Sequence, residues 1–277
     1  MADEIEKAVL DVCEAAEKLG IKVVLVGALM ARYSPEIDAG YPKFRGTNDA
    51  DFGVAVRDWD SYRKLHDALL ARGFAPNPKI EHRLHRGMAM VDLIPYSSKI
   101  APGGKLTWPK SDMTINVVGF DEACAAARAA ARSKGAKVPV ITAAGHMLLK
   151  IIAFLDRKEQ EHPKYRDDAR DIEYWLRHYA SGEDDPRRFE LAGHEQLKHE
   201  EYDTAGAVLI GIEVGKLASP QAGACVDRFL KGSMDLYSPF QDAFAAGLPF
   251  EEDAEKKRGE GQALLRAFKK GYEHGRR

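Results

Sequence analysis

Two aspartates stand at a spacing that could bind a cation. Asp49 and Asp51 begin a predicted strand, and side chains two residues apart in a strand point to the same face of a sheet. Adjacent carboxylates repel each other unless a cation neutralises them, and Mg²⁺ prefers such hard oxygen ligands. The pair therefore indicates either a magnesium site or a polar loop that leads into an edge strand.

A third acid, Asp92, lies inside the apolar sequence MAMVDLI, which predicts another strand. Burying a carboxylate without a partner costs several kcal/mol or forces its protonation. A metal shared with Asp49 and Asp51 would neutralise it. A salt bridge to Arg83 or Arg86, or water at a sheet edge, would do the same, and the sequence leaves these alternatives open.

The segment VVLVGA predicts a buried strand that ends at Gly27 and enters a helix. A glycine at such a junction lets a phosphate approach the backbone, and a helix N-terminus offers free N–H groups. Most junctions of this kind are only turns. The segment therefore indicates a phosphate loop only in combination with the carboxylates.

Two predicted helices carry a further set of charges. Lys150 and Arg157 lie close to one stripe of the first helix, and Lys150 interrupts an apolar run. Its ammonium could extend into solvent or reach a triphosphate. Asp168 and Asp171 share a face of the next helix and could pair with either cation.

The elements that must position these residues change character near residue 141. The sequence predicts an α+β fold: an N-terminal mixed sheet with flanking helices over 1–141, then an all-helical half over 142–277. The predicted strands are 21–26, 49–56, 82–86, 88–94 and 113–118. The predicted helices include 4–19, a short one from 28, 59–72, an exposed Ala-rich one at 123–131, 142–158 and 163–179.

Composition narrows the class of protein. The chain has 277 residues, 45% of them hydrophobic and 30% charged, with a net charge of −2, which argues against a non-specific nucleic-acid binder. Three distant cysteines without a CxxC motif argue against disulfides and a zinc site. The longest apolar stretch, 23–31, is shorter than the roughly 20 residues that span a bilayer. We expect a cytoplasmic protein without a membrane partner.

Taken together, the motifs resemble the AbiEii/AbiGii-toxin type of nucleotidyltransferase, within the DNA polymerase β-like superfamily. The matching stretches, in chain order, are VLVGALMARY, RGTNDADFGVAV, GMAMVDLIPY, LTWP, VVGFDEA, LLKIIAFLDR, RDDARDIEYWL and AGAVLIGIEVGKLAS. They cover most of the chain and are weakest toward its C-terminus. The RxTxDxD stretch and the Lys…Arg…DxxD helices are the most specific.

The resemblance implies a catalytic domain over 1–141 and a helical domain over 142–277 that completes a cleft for NTP and acceptor. The reaction would be metal-dependent transfer of a nucleoside monophosphate from an NTP to an acceptor, with release of pyrophosphate. RNA, such as a tRNA, is the implied acceptor, and the protein would be a toxin with a cognate antitoxin. The alternatives are a small-molecule or protein acceptor, or a degenerate fold that only binds.

The resemblance also assigns roles to residues. The catalytic residues and ligands of two Mg²⁺ ions would be Asp49, Asp51 and Asp92. The nucleotide-binding residues would be Gly27, Ala28, Arg45, Thr47, Lys150, Arg157, Asp168 and Asp171. The family usually has glycine or serine where this chain has Ala28, which offers a phosphate only its backbone N–H.

Overall fold

A computed structural model describes residues 2–34, 47–131, 137–182, 185–191, 201–246 and 251–277. They divide into two compact units, one before Ala143 and one from Ala143 to Arg277. Within these ranges, no helix combines the length and apolar character needed to cross a membrane.

The first unit is built on a seven-stranded mixed sheet. Its strands and those of a separate hairpin are β1 Lys22–Leu25, β2 Asp49–Ala55, β3 Ala75–Pro76, β4 Arg83–Arg86, β5 Ala89–Tyr96, β6 Lys105–Thr107, β7 Thr114–Asn116, β8 Arg128–Ala131 and β9 Lys137–Val140. The order in the sheet is β3-β4-β5-β2-β1-β9-β8, and β6 pairs with β7. Central β2 runs parallel to β5 and antiparallel to β1.

Alternation along β2 gives the sheet two different faces. Ala50, Phe52 and Val54 are fully buried on one face, while Asp49 and Asp51 lie on the other. The α-helices in the described residues of this unit are α1 Ala2–Lys18, α2 Trp59–Leu70 and α3 Phe120–Ala125. Helices α1 and α2 pack against each other, and α1 also contacts β5.

Three local expectations differ from the structure in this unit. The Ala-rich stretch does not form one exposed helix: α3 ends at Ala125, and Arg128–Ala131 pairs with β9 as an edge strand. Tertiary pairing overrides the high helix propensity of alanine there. The helix expected from residue 28 is only a short 3₁₀ segment, Ala28–Arg32. The strand expected at 113–118 shortens to β7 and pairs with β6 outside the main sheet.

The second unit is helical throughout its described residues. Its helices are α4 Ala143–Glu159, α5 Tyr165–His178, α6 Arg187–Leu191, α7 Tyr202–Leu217, α8 Pro220–Ser233, α9 Pro239–Ala245 and α10 Glu251–Gly275. Helices α7 and α10 approach so closely that a Cβ added to Gly271 would lie 2.8 Å from the carbonyl carbon of Val208. The predicted fold class, a mixed sheet with flanking helices followed by a helical half, is confirmed.

Candidate active site

The strand register brings the three predicted carboxylates to one face of the sheet. Asp51 of β2 is the direct neighbour of Asp92 on parallel β5, and Asp49 is paired with Met90 in the same register. Residues paired across two strands project to the same face, and so do residues two apart on one strand. The carboxylates of Asp49, Asp51 and Asp92 therefore belong to a single face.

Gly27 borders this face immediately after β1. The N–H of Val26 donates to the carbonyl of Asp51 at 2.8 Å, which holds the turn against β2. A Cβ added to Gly27 would lie 2.6 Å from Asp51 Cγ and 2.8 Å from its Cβ. The backbone of Gly27 has φ −86°, which any residue can adopt, so glycine is required here by space. Gly27 thus makes room for the Asp51 side chain, and the approach of a phosphate to its backbone stays a prediction.

Asp92 has a protein cation as its partner. Arg83, its register neighbour on β4, donates from Nε to Asp92 Oδ1 and from Nη2 to Oδ2, both at 2.7 Å. The side chain of Asp92 is only 8% exposed and that of Arg83 only 17%. Hydrogen bonding to Asp92, reinforced by the nearby charges of Asp49 and Asp51, raises the pKa of Arg83. Of the alternatives left open by the sequence, the salt bridge to Arg83 is present, whereas Arg86 pairs with Asp11.

The sequence analysis did not predict the aromatic cluster that lies beside Asp92. His82 places Nε2 at 3.9 Å from Asp92 Oδ2, and its ring lies 5.5 Å from that of Trp108. Trp108 in turn contacts Trp59 and Tyr62, with ring centroids 5.3 and 5.5 Å away. Burial lowers the pKa of His82 although Asp92 opposes the shift, so the imidazole is neutral at pH 7. The cluster adds no cation to the face.

The start of β2 is ordered by Thr47, whose Oγ1 accepts a hydrogen bond from the Asp49 N–H at 3.1 Å. This contact fixes where the strand begins and hence which face Asp49 joins. Arg45, the other residue expected to bind nucleotide before β2, lies outside the described residues. Ala28 follows Gly27 and is buried at the beginning of the short 3₁₀ segment.

The residues of this face fit a divalent cation in part. Asp49 and Asp51 supply the hard oxygen donors that Mg²⁺ prefers, and Gly27 leaves open the space that Asp51 occupies. Asp92 differs, because a guanidinium already stands against both of its oxygens. Over the part of the chain that the structure describes, no three His, Cys, Asp or Glu side chains are grouped to share a metal. A cation therefore fits the Asp49–Asp51 pair, and Asp92 as a third ligand stays a prediction.

The second unit contains the other predicted set, and here the expected pairing is confirmed. Lys150 Nζ lies 2.8 Å from Asp171 Oδ2 and 3.1 Å from Asp168 Oδ1. Arg157 Nη1 lies 2.7 and 2.5 Å from the two oxygens of Asp168. The charges of the two cations on α4 and the two anions on α5 thus balance.

Burial sets the energetics of this cluster. The side chains of Asp168 and Asp171 are 0% and 2% exposed, and that of Lys150 is 14% exposed. Burial disfavours the ammonium, but the charges of Asp171 and Asp168 outweigh it and raise the pKa of Lys150. Lys150 therefore stays charged inside the unit and does not extend into bulk water. Nucleotide binding by the four residues of the cluster stays a prediction.

Comparison with known proteins gives low similarity. No family model matches this chain, and no curated protein does. An antigenic nucleotidyltransferase-like protein from Paracoccidioides brasiliensis is similar in structure, with a TM-score of 0.41, 20% identity, and coverage of 63% of this chain and 76% of that one. The antibiotic-resistance factor ANT(2″)-Ia gives a TM-score of 0.34 at 11% identity, covering 61% and 89% of the two chains. The resemblance to the AbiEii/AbiGii-toxin type stays an interpretation of the motifs.

Proposed function

We propose that this protein is a nucleotidyltransferase that transfers a nucleoside monophosphate from an NTP to an acceptor in a metal-dependent reaction. The observation that carries the proposal is the placement of Asp49, Asp51 and Asp92 on one face of adjacent strands, with Gly27 shaped around the Asp51 carboxylate. A purely structural strand has no need of three acids on one face. Arg83 neutralises Asp92, and Asp49 and Asp51 add hard oxygen donors beside it, which suit the divalent cation that a nucleotide brings.

In this proposal Asp49 and Asp51 would hold the divalent cation that accompanies the NTP. When bound, the cation would supply the neutralisation of phosphate charge on which phosphoryl transfer depends. The acceptor hydroxyl oxygen would attack the α-phosphorus and give its proton to Asp92 or to a group of the substrate. The bond between the α-phosphorus and the oxygen that it shares with the β-phosphate would break, so that pyrophosphate leaves. The protein itself positions the two carboxylates: β2 aligns Asp49 with Asp51, and Gly27 allows the Asp51 side chain to keep its position.

The finer assignments come from the motif resemblance alone. They are an RNA acceptor such as a tRNA, action as a toxin and a cognate antitoxin as partner, whereas the cytoplasmic location is expected from the composition. Within this proposal Lys150 and Arg157 would contact the triphosphate, with Asp168 and Asp171 as their partners. Of these assignments, the acceptor can be tested most directly, because labelling identifies it.

The decisive experiment incubates the protein with Mg²⁺ and each α-³²P-labelled NTP in turn, together with total RNA. We expect one NTP to label RNA, and Asp51→Asn to abolish the labelling while the circular dichroism spectrum stays unchanged. Asp67→Asn is the matched control, because that carboxylate belongs to the same unit and its side chain is 75% exposed. Its labelling should equal that of the wild type.

Other outcomes identify the alternatives. Label in a protein or small-molecule fraction of a cell extract would keep the chemistry and change the acceptor. Calorimetric binding of Mg²⁺–NTP without transfer to any fraction would leave a degenerate fold that only binds. Equal labelling by wild type and Asp51→Asn would refute the carboxylate site.

A further inference from the structure

A cationic surface lies on the last helices of the second unit. Residues 261–277 carry five lysine and arginine side chains and a single acidic one, although the whole chain has a net charge of −2. Arg266, Lys269 and Lys270 of α10 are exposed and stand at i, i+3 and i+4, which places them on one face of the helix. Together with exposed Lys231 of α8, they form what we call the basic surface.

The fold leaves part of this charge unused. Within the described residues, neither Lys231 nor Arg266 forms an ion pair. Lys269 Nζ lies 3.7 Å from Glu273 Oε1, but the two side chains are 49% and 59% exposed, so water screens their attraction. These cations are therefore available to an anionic ligand.

A cavity of about 320 Å³ opens between α8 and α10 within the basic surface. Lys231 and Lys269 line it, Leu230 and Met234 add apolar lining, and Glu273 adds a carboxylate. Ligand cavities measure roughly 300–1,000 Å³, so this one suits a single planar ring system. Cations, apolar surface and a carboxylate match the phosphate, the ring and the amino edge of a nucleotide.

The surroundings favour a nucleic acid over other anionic partners. Helices that bind membranes expose large apolar side chains beside the basic ones, and protein interfaces have an apolar core. Among the described residues, no large hydrophobic side chain of α8 or α10 is exposed. A single strand of nucleic acid instead needs cations for its phosphates and places where its bases can pack.

We propose that the basic surface binds the phosphates of a single-stranded segment of the acceptor RNA, and that the cavity between α8 and α10 holds one of its bases. This inference rests on the proposed function, which makes RNA the acceptor. The basic surface contains none of the residues assigned to the reaction, so RNA binding and nucleotide transfer can be measured separately.

The test measures fluorescence anisotropy of a short labelled single-stranded RNA of mixed sequence, without NTP or Mg²⁺. Lys231→Gln combined with Arg266→Gln removes two phosphate contacts, each of which adds about 0.7 to the slope of log K against log [NaCl]. We expect the slope to fall by about 1.4 and the dissociation constant at about 0.1 M salt to rise roughly tenfold or more. Lys164→Gln combined with Lys256→Gln is the matched control, since both lysines are exposed residues of the same unit outside the basic surface.

An abasic strand of the same length tests the cavity, because it keeps the phosphates and lacks the bases. We expect the wild type to bind it at least about fivefold more weakly than the complete RNA, since packing of a single base is worth that much. Met234→Trp fills the cavity without a change of charge and should abolish the difference. Equal binding of the two strands by the wild type would overturn the base site even if Met234→Trp does not fold.

The outcomes separate this inference from the proposed function. Equal losses in the two double variants, or binding to phosphatidylserine vesicles in preference to RNA, would overturn the RNA surface and leave the transfer reaction standing. Asp51→Asn should bind RNA as the wild type does, because binding is measured without NTP. RNA binding that depends on Lys231 and Arg266, without labelling of any fraction by an NTP, would support the surface and refute the proposed function.

Discussion

The carboxylate of Asp51 occupies the space that a side chain on Gly27 would need. The three atoms nearest to an added Cβ all belong to the side chain of Asp51: Oδ2, Cγ and Cβ. Because Gly27 has an ordinary backbone conformation, the requirement is steric. The turn after β1 and the candidate ligand on β2 therefore constrain each other.

This contact predicts that Gly27→Ala destabilises the protein through Asp51. Overpacking of this kind typically costs about 1–3 kcal/mol in the free energy of unfolding. The measurement is urea unfolding of Gly27→Ala, Asp51→Gly and the double variant, since glycine at 51 removes all three contacting atoms. We expect the two costs to be non-additive by roughly 0.5–3 kcal/mol. Additive costs would mean that the turn relaxes away from β2.

The sequence predicts the elements of the first unit better than their pairing. The apolar run around Asp92 indicated a strand, and β5 is there. Whether Arg83 or Arg86 would reach Asp92 depended on the register of β4, and a shift by one residue reverses the face of every side chain. The register places Arg83 opposite Asp92, which no local pattern encodes.

Long-range contacts explain the remaining differences. Lys150 had two open fates in the sequence, and its partners stand 18 and 21 residues later on another helix, where only packing decides that they meet. The Ala-rich segment became half helix and half strand because β9 offered an edge to pair with. Gly27 looked like a phosphate turn, and its contact with Asp51 emerges only from the three-dimensional structure.

The ion cluster of the second unit predicts that Lys150 matters for stability. Lys150→Met removes one of two cations beside Asp168 and Asp171, both of which are almost fully buried. Removing one partner of a buried ion pair costs about 3–5 kcal/mol. Urea unfolding should show such a loss, and adding Asp171→Leu should recover a large part of it. A loss below about 1 kcal/mol, as on an exposed surface, would contradict a buried cluster.

The same double variant tests whether Lys150 binds nucleotide. Lys150→Met with Asp171→Leu lacks the ammonium but retains a balanced pair of Arg157 and Asp168. If Lys150 contacts the triphosphate, the dissociation constant for Mg²⁺–NTP rises by about one to two decades, since a charge-assisted bond is worth roughly 1.5–3 kcal/mol. Calorimetry measures this, with Asp171→Leu alone as the control. An unchanged constant would leave the cluster a purely structural role.

Alkaline pH should weaken the fold through the partly buried thiol of Cys13. Burial, helped by the charges of Glu14 and Glu17, raises the pKa of Cys13 from 9.0 to about 12. The thiol therefore ionises in the unfolded chain first, and its contribution to stability is complete below pH 9 and is lost as the pH rises toward 12. Each pH unit in that window costs up to about 1.4 kcal/mol. In urea unfolding from pH 8 upward, the free energy of unfolding should fall less steeply with pH for Cys13→Ala than for the wild type. Equal slopes would refute the raised pKa of Cys13.

The contact between α7 and α10 predicts opposite effects for two glycines of one helix. A Cβ on Gly271 would lie 2.8 Å from the carbonyl carbon of Val208 and 3.0 Å from its Cα, and backbone atoms cannot rotate away. We expect Gly271→Ala to lower the free energy of unfolding by about 1–3 kcal/mol or more, because the helices must separate. Among the described residues, nothing beyond the neighbouring backbone of α10 lies within 4 Å of a Cβ added to Gly259, so Gly259→Ala should stabilise α10 by roughly 0.5–1 kcal/mol. Thermal and urea unfolding of both variants would decide, and destabilisation by Gly259→Ala or tolerance of Gly271→Ala would contradict the close packing of these helices.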